Sequence, residues 1–313
     1  MMREGVDLGP PPITRREEHH GVVKFCLPAG DGLESESVII PMSSYRSASW
    51  HTLCLSSQIG CRMGCTFCET GRMGLLRNLS AGEIVCQRIV ARQLMLGRTP
   101  ASPSRFRYFS DGIRNVVFMG MGEPFDNFDN VTQAIRVLNE PGGLDVPMTQ
   151  ITVSTVGRID GLRKLAALVR SGERDWANLR LAISLTAADD ALRDRLVPIN
   201  KGMPLAALQC ALLDYPLARK GRYLIEYVML KGVNDASHHA DALAAWCRPL
   251  PCVVNLIPYN PQRDAAYETP SDDTIMTFLR RLRAHGIFVK RRVTHGRDLM
   301  GACGQLGGAT RRV

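Results

Sequence analysis

No uninterrupted apolar run in this 313-residue chain reaches the ~18 residues that a membrane span needs. The N-terminal stretch from Met1 to Pro12 is polar and proline-rich, with no apolar segment of the kind that directs secretion. Low-complexity tracts are absent, and there is no repeat beyond an alternation of strand-like and helix-like segments. Ten cysteines in 313 residues, about 3%, fall far short of a disulfide scaffold. A cytoplasmic location with reduced thiols is therefore expected, and clustered cysteines there point to a metal or to redox chemistry. What is present is an ordinary globular balance, 45% hydrophobic and 22% charged, which excludes a disordered or collagen-like chain. The length suits one large domain or two small ones. Thirty-nine Lys and Arg against thirty Asp and Glu give a net charge of +9. Such a surplus fits a polyanionic partner and equally an ordinary solvated surface.

Two β-like runs come first, Val22–Leu27 and Ser37–Pro41, and read as a small hairpin ahead of the main domain. Strand and helix patterns then alternate. Strands are expected at His51–Ser56, Asn115–Met119, Gln150–Thr155, Leu179–Leu185, Tyr223–Leu230 and Cys252–Ile257. The helices that follow them are expected at Ser80–Leu96, Phe128–Asn139, Ile159–Ser171, Pro204–Leu212, Ala236–Cys247 and Asp272–His285. Ser80 with Glu83 forms a capping box at the first of these, and Gly97 closes it. A last strand-like run, Ile287–Val293, precedes a tail rich in glycine at Gly301, Gly304, Gly307 and Gly308. The strands are continuous apolar runs, as parallel strands covered on both faces are. Serial βα units of this kind build an α/β barrel or an open doubly wound sheet, and in either the site lies at the strands' C-terminal ends.

Four of the ten cysteines fall between Cys54 and Cys68. Cys61, Cys65 and Cys68 are spaced C-x3-C-x2-C. Zinc sites generally take four ligands, from two C-x2-C pairs or cysteine with histidine. Three thiols in a short loop suit a [4Fe–4S] cluster with one iron left open, to which S-adenosylmethionine (SAM) binds and is cleaved reductively. Zinc with Cys54 as a fourth ligand, and a merely buried group of thiols, are the competing readings. Cys26, Cys86, Cys210, Cys247 and Cys252 sit in apolar segments and read as core.

With its motif after the first strand of a βα series, the sequence resembles the RlmN/Cfr family of radical-SAM RNA methyltransferases. The matching stretches are Thr52-Leu-Cys-Leu-Ser-Ser-Gln-Ile-Gly-Cys61, Phe118-Met-Gly-Met-Gly-Glu-Pro124, Glu226-Tyr-Val-Met-Leu-Lys-Gly-Val-Asn-Asp235, Asn255-Leu-Ile-Pro-Tyr-Asn-Pro261 and Ala302-Cys-Gly-Gln-Leu306. The resemblance covers roughly residues 34 to 308. It implies a partial (βα)6 radical-SAM barrel over residues 46–298, an N-terminal tail and hairpin over 1–45, and a C-terminal segment over 299–313 that carries a cysteine methylated during the reaction. Ahead of the hairpin, family members carry a helical accessory domain for which the roughly 35 residues here are too few.

The residue roles that the resemblance implies are these. Cys61, Cys65 and Cys68 hold the cluster. Cys303 is the methylated cysteine, and Cys54 resolves the protein–RNA link through a transient disulfide with it. Glu36 accepts a proton, with Glu34 two residues away on the same strand face as the alternative. Gly122, Glu123, Ser154, Ser184, Leu185, Thr186 and Asn260 contact SAM; Thr186 stands where relatives commonly have histidine. The activity implied is methylation of an adenosine ring carbon, C2 before C8, in rRNA or tRNA, using two SAM molecules. The partners implied are that RNA and an electron donor such as flavodoxin or ferredoxin, with a monomeric enzyme and no membrane. Arg280, Arg281, Arg283, Lys290, Arg291, Arg292, Arg297, Arg311 and Arg312 form a C-terminal basic group suited to phosphates. A radical-SAM enzyme with a different substrate, a non-catalytic RNA-binding relative and a metal-binding module without turnover are the other readings.

Overall fold

The computed structural model describes residues 9–30, 32–43, 49–96 and 111–307; Gly97, Gly308, Arg311 and Arg312 lie outside them. Three antiparallel strands open the chain: β1 (Arg15–His19), β2 (Val22–Pro28) and β3 (Glu34–Ser43). β3 then pairs antiparallel with β4 (Ser49–Cys54), with Val38 opposite Cys54. The N-terminal strands therefore extend the main sheet and are not a hairpin standing ahead of it. β1 escaped the sequence pattern because Arg15–His19 is charged and mostly exposed along its length, as suits an edge strand that must not recruit another chain.

After β4 the chain makes an excursion. β5 (Gln58–Cys61) and β6 (Gly74–Asn78) form a separate two-stranded ribbon around the one-turn helix α1 (Glu69–Arg72). α2 (Ala81–Met95) follows. Its N-cap is the expected capping box: the Glu83 N–H donates to Ser80 Oγ, and the Ser80 N–H donates to Glu83 Oε2.

The parallel strands then come in order: β7 (Ile113–Phe118), β8 (Ile151–Thr155), β9 (Arg180–Ser184), β10 (Tyr223–Met229), β11 (Cys252–Pro258) and β12 (Val289–Arg291). The helices α3 (Phe128–Leu138), α4 (Ile159–Arg170), α5 (Asp190–Leu196), α6 (Leu205–Asp214), α7 (Ser237–Cys247) and α8 (Asp272–Ala284) connect them. The sheet reads β1-β2-β3-β4-β7-β8-β9-β10-β11-β12, with its parallel part running from β4 onward. Six strands from β4 to β11 are each followed by at least one helix, as the sequence pattern implied. α5 was not anticipated: it has seven residues and buries a polar side chain, Arg193, so it shows no apolar stripe. The last strand is shorter than expected because its flanking residues Phe288 and Val293 are 57% and 71% exposed. Among the described residues no helix is long and apolar enough to cross a membrane.

Candidate active site

The loop between β4 and β7 brings Cys61, Cys65 and Cys68 to one cavity at the C-terminal ends of the parallel strands, about 930 Å³ of empty space including its mouth. The loop folds tightly because glycine stands where nothing larger fits. A Cβ on Gly60 (φ +71) would collide with the Gly74 carbonyl, and one on Gly71 would lie 2.9 Å from the Cys65 carbonyl oxygen. Gly122 (φ +102), after β7, approaches within 2.6 Å of the Gln58 side chain at its would-be Cβ. Gly122, Glu123, Ser154 and Ser184 line the same cavity.

Burial pushes the Cys61 thiol up to about 12, and Cys65 and Cys68 are raised by the same cause. Binding as thiolates would therefore release protons. All three are free of disulfides. Among the described residues no three His, Cys, Asp or Glu side chains converge so as to hold a single metal ion. Cys54 lines a different cavity from these three, which favours a three-cysteine cluster site over zinc with Cys54 as a fourth ligand. Three soft thiols facing one cavity with glycine-lined walls fit a larger iron–sulfur group with an open side.

Glu123 is 2% exposed, and burial raises its carboxyl to about 7. The Phe125 N–H donates to Oε1 at 3.1 Å and the Val156 N–H to Oε2 at 2.9 Å, and the Thr155 hydroxyl also bonds the carboxyl. Leu185 and Thr186, where SAM contacts were expected, follow β9 and line neither cavity. Thr186 is fully buried at φ +59, a rare conformation for a β-branched residue, and its carbonyl accepts from Asn234 Nδ2 at 2.8 Å.

A second, wider cavity of about 1840 Å³ with its mouth adjoins the first. Cys54 and Asn260 line it, with Arg180, Lys290, Arg291 and His295 among its polar residues. Met119, Glu226, Ile257, Arg292 and Cys303 line both cavities and mark where they meet. Burial pushes the Cys54 thiol up to about 12; a charge on Cys303 adds to this and Arg292 opposes it. Arg292 Nη1 lies 3.6 Å from Glu226 Oε2, and Asn255 Nδ2 donates to Glu226 Oε1 at 2.8 Å. The basic group foreseen at the C-terminus divides. Lys290, Arg291 and Arg292 line the second cavity, whereas Arg281 is paired with Asp241 on the helical side. Of the remaining thiols, Cys26, Cys247 and Cys252 are core, but Cys210 is exposed on α6.

The segment carrying Cys303 is tied down at almost every residue. Asn260 Nδ2 donates to the Cys303 carbonyl at 3.1 Å. Asn260 thus holds the Cys303 backbone and faces the second cavity instead of the first, where a SAM contact was expected. The Gly304 carbonyl accepts from the Glu69 N–H at 2.8 Å and from Gln262 Nε2 at 3.2 Å. Thr70 Oγ1 donates to the Leu306 carbonyl at 2.6 Å. Glu36 lines neither cavity. Its carboxylate is fully buried, 2.8 Å from Lys24 Nζ, and accepts from the Gly307 N–H at 3.1 Å. Glu34 pairs with Arg15 at 3.7 Å, near the surface. The structure therefore gathers the three cluster cysteines, Gly122, Glu123, Ser154, Ser184 and Cys303 at one cavity and Cys54, Asn260 and Cys303 at the other, and leaves Glu36 under the C-terminal segment.

Sequence reasoning missed Arg193. Its guanidinium is 1% exposed and donates to the carbonyls of Leu185 (3.0 Å) and Val156 and to Asn200 Oδ1 (2.6 Å). Thus α5 staples the ends of β8 and β9, the strands that carry Ser154 and Ser184. A buried Arg in a short polar helix leaves no periodic signal.

A barrel-type sheet with a three-cysteine loop at its C-terminal edge defines a radical-SAM site, and residues 55–243 match the Radical SAM superfamily. A solved radical SAM methyltransferase from Sphaerobacter thermophilus is 37% identical, with a TM-score of 0.82 over 95% of this chain and 81% of that one. The dual-specificity RNA methyltransferase RlmN of Desulfotalea psychrophila is 41% identical over 295 residues, 94% of this chain and 76% of the relative. That of Phenylobacterium zucineum is 44% identical over 298 residues, 95% and 73%. The chain belongs to the RlmN family of radical SAM RNA methyltransferases.

Proposed function

We propose that this chain methylates an adenosine ring carbon of RNA, C2 in preference to C8, through a methyl group first placed on Cys303. The observation that carries the reading is that Cys303 lines both cavities, the one that holds the three-cysteine loop and the basic one that Cys54 lines. A ring carbon of adenine is not nucleophilic, so direct displacement of methyl from SAM would fail there. Held by Cys61, Cys65 and Cys68, one [4Fe–4S] cluster would supply the electron for reductive SAM cleavage.

The protein's own residues do the rest. The Cys303 thiolate displaces methyl from a first SAM. A hydrogen atom is then removed from that methyl group by the radical fragment of a second SAM. The carbon radical adds to the ring, joining protein and RNA. Loss of the ring proton, and of one electron that the oxidised cluster would take back, restores the aromatic system as a thioether. Cys54 thiolate attacks the Cys303 sulfur, the C–S bond breaks, and the freed carbon takes a proton to become the methyl group. Glu36, directly beneath the segment that carries Cys303, is our proton acceptor for the adduct stage. Arg180, Lys290 and Arg291 would meet phosphates. The substrate is rRNA or tRNA, the electron donor is of flavodoxin or ferredoxin type, and the enzyme works as a monomer in the cytoplasm. Nucleoside mass spectrometry of RNA from a deletion strain and its parent tests the reading: methyladenosine is lost in the deletion, and an unchanged profile refutes it.

Ser154, Ser184 and the Glu123 carboxylate would hold the amino-acid end of SAM, with backbone offered by Gly122, Leu185 and Thr186. A cationic amine beside Glu123 favours its ionised form, so binding displaces a proton when the free carboxyl titrates at about 7. SAM affinity for the cluster-loaded protein should therefore climb with pH by up to ~10-fold per unit below that titration and flatten above it. Glu123→Gln should bind more weakly and without that slope; an identical slope in equilibrium titrations from pH 6 to 7.5 would remove Glu123 from the amine site.

A further inference from the structure

Lys24 and Glu36 sit on neighbouring strands, β2 and β3, and the reaction gives Lys24 no task. Both are withdrawn from solvent, 5% and 0% exposed, with 2.8 Å between Nζ and Oε2. A buried ion pair stabilises little by itself, because desolvation offsets most of the attraction unless further partners satisfy the remaining protons and lone pairs. Three of the further partners belong to one segment. Lys24 Nζ donates to the Met300 carbonyl at 3.1 Å and to the Leu299 carbonyl at 3.4 Å, and the Gly307 N–H donates to Glu36 Oε1 at 3.1 Å. The pair thus grips the chain on both sides of Cys303. Its own footing reaches the other thiol: Ser56 Oγ, just beyond Cys54, donates to the Glu36 carbonyl at 2.6 Å. The backbone is left-handed at both gripped ends, Met300 (φ +50) and Gly307 (φ +114), and at Gly304 (φ +85) between them.

We propose that the Lys24–Glu36 pair is a latch that positions Cys303: it fixes both ends of the 299–307 segment to the sheet carrying Cys54, so that the sulfur passes between the two cavities by a local turn and not by release of the tail. A charge pair serving the sheet alone would find its partners within β2 and β3. Three partners of this pair lie instead on the segment that carries the reacting sulfur. Glu36 thereby has a task in the resting enzyme before the adduct forms, and Lys24 is a positioning residue throughout. The inference rests on the reading of Cys54 and Cys303 as disulfide partners.

The test uses the anaerobic, cluster-loaded full chain as wild type, Lys24→Met and Lys24→Arg. Each is equilibrated in glutathione buffers of graded redox ratio, and peptide mass spectrometry measures the Cys54–Cys303 disulfide, which gives the effective concentration of one thiol at the other. Lys24→Met should lower it by ~10-fold or more, and Lys24→Arg, which keeps the charge, should stay within ~3-fold of wild type. KM for SAM in SAM cleavage should be unchanged in Lys24→Met while Cys303 methylation slows. An unchanged effective concentration in Lys24→Met overturns the latch. If wild type forms no such disulfide, the pairing of Cys54 with Cys303 fails instead. Amide exchange over 299–307 then decides the latch: faster in Lys24→Met but not Lys24→Arg supports it, and equal rates overturn it. Should Lys24→Met not fold, the apolar double variant Lys24→Met/Glu36→Met removes the pair without stranding a charge; wild-type disulfide formation and exchange in that protein overturn the proposal equally.

Discussion

Cys54→Ala, co-expressed with cellular RNA, is expected to accumulate as a covalent protein–RNA adduct. Once the carbon on Cys303 has joined the ring, the link between RNA and protein is a thioether, and nothing in RNA attacks it. Release needs a second thiol at the same cavity. Cys54 ends β4, is 7% exposed and lines the second cavity together with Cys303. It lies outside the first cavity, so its removal should spare cluster binding, SAM cleavage and Cys303 methylation, and block only the last step. The cost to folding should be about 1 kcal/mol, the ordinary size for a small core truncation. The checking measurement is a denaturing gel with and without nuclease: a slow, nuclease-sensitive band carrying Cys303 in its cross-linked peptide is expected. Normal turnover with no such band would return Cys54 to the core.

Arg193→Met is expected to be the most destabilising single change at the site that touches no proposed ligand. The guanidinium satisfies the Leu185 and Val156 carbonyls and Asn200 Oδ1 in a place from which water is excluded. Burial lowers the pKa of its guanidinium to about 10, so it remains charged at neutral pH. Methionine fills the volume but leaves the Val156 carbonyl and Asn200 Oδ1 unpaired, each a penalty of ~1–3 kcal/mol, while the Leu185 carbonyl keeps the Ala187 N–H, and with the lost charged bonds the sum should come to about 3–5 kcal/mol. For a chain of this size that corresponds to a fall in Tm of ~5–8 °C. Lysine would restore charge but not the fork that reaches several acceptors at once. Denaturant unfolding of wild type, Arg193→Met and Arg193→Lys checks this. A loss below ~1 kcal/mol in Arg193→Met would mean that the ends of β8 and β9 are held by their own packing.

The serial βα pattern was readable because β7 to β11 are covered by helices on one side and the interior on the other, which writes them as continuous apolar runs. Residues at their C-terminal ends could be assigned to the site from that topology alone, and Ser154, Ser184, Gly122 and Glu123 do meet at one cavity. What the pattern could not carry was the direction a polar side chain takes after the strand ends. Asn260 sits where expected along the chain, yet it turns to the Cys303 carbonyl. Glu36 is on the expected strand, yet its partner is Lys24, and no spacing rule links β2 to the C-terminal segment. Arg193 (toward Val156), Gln262 and Thr70 act on backbone carbonyls far away in sequence, and a bond to a carbonyl leaves no trace in residue type. The same limit concealed β1, whose charged residues answer to the needs of an edge and not to a core.

The central claim is that the carbon delivered to RNA is first held on Cys303. Protein expressed with an intact cluster, digested and sequenced by mass spectrometry, should carry the mass of one added methylene on the peptide containing Ala302-Cys-Gly-Gln-Leu306 and fragment to place it on Cys303. Labelled methyl from SAM should appear there before it appears in RNA. Label that enters RNA while Cys303 stays unmodified, or that settles on another residue, would contradict the account.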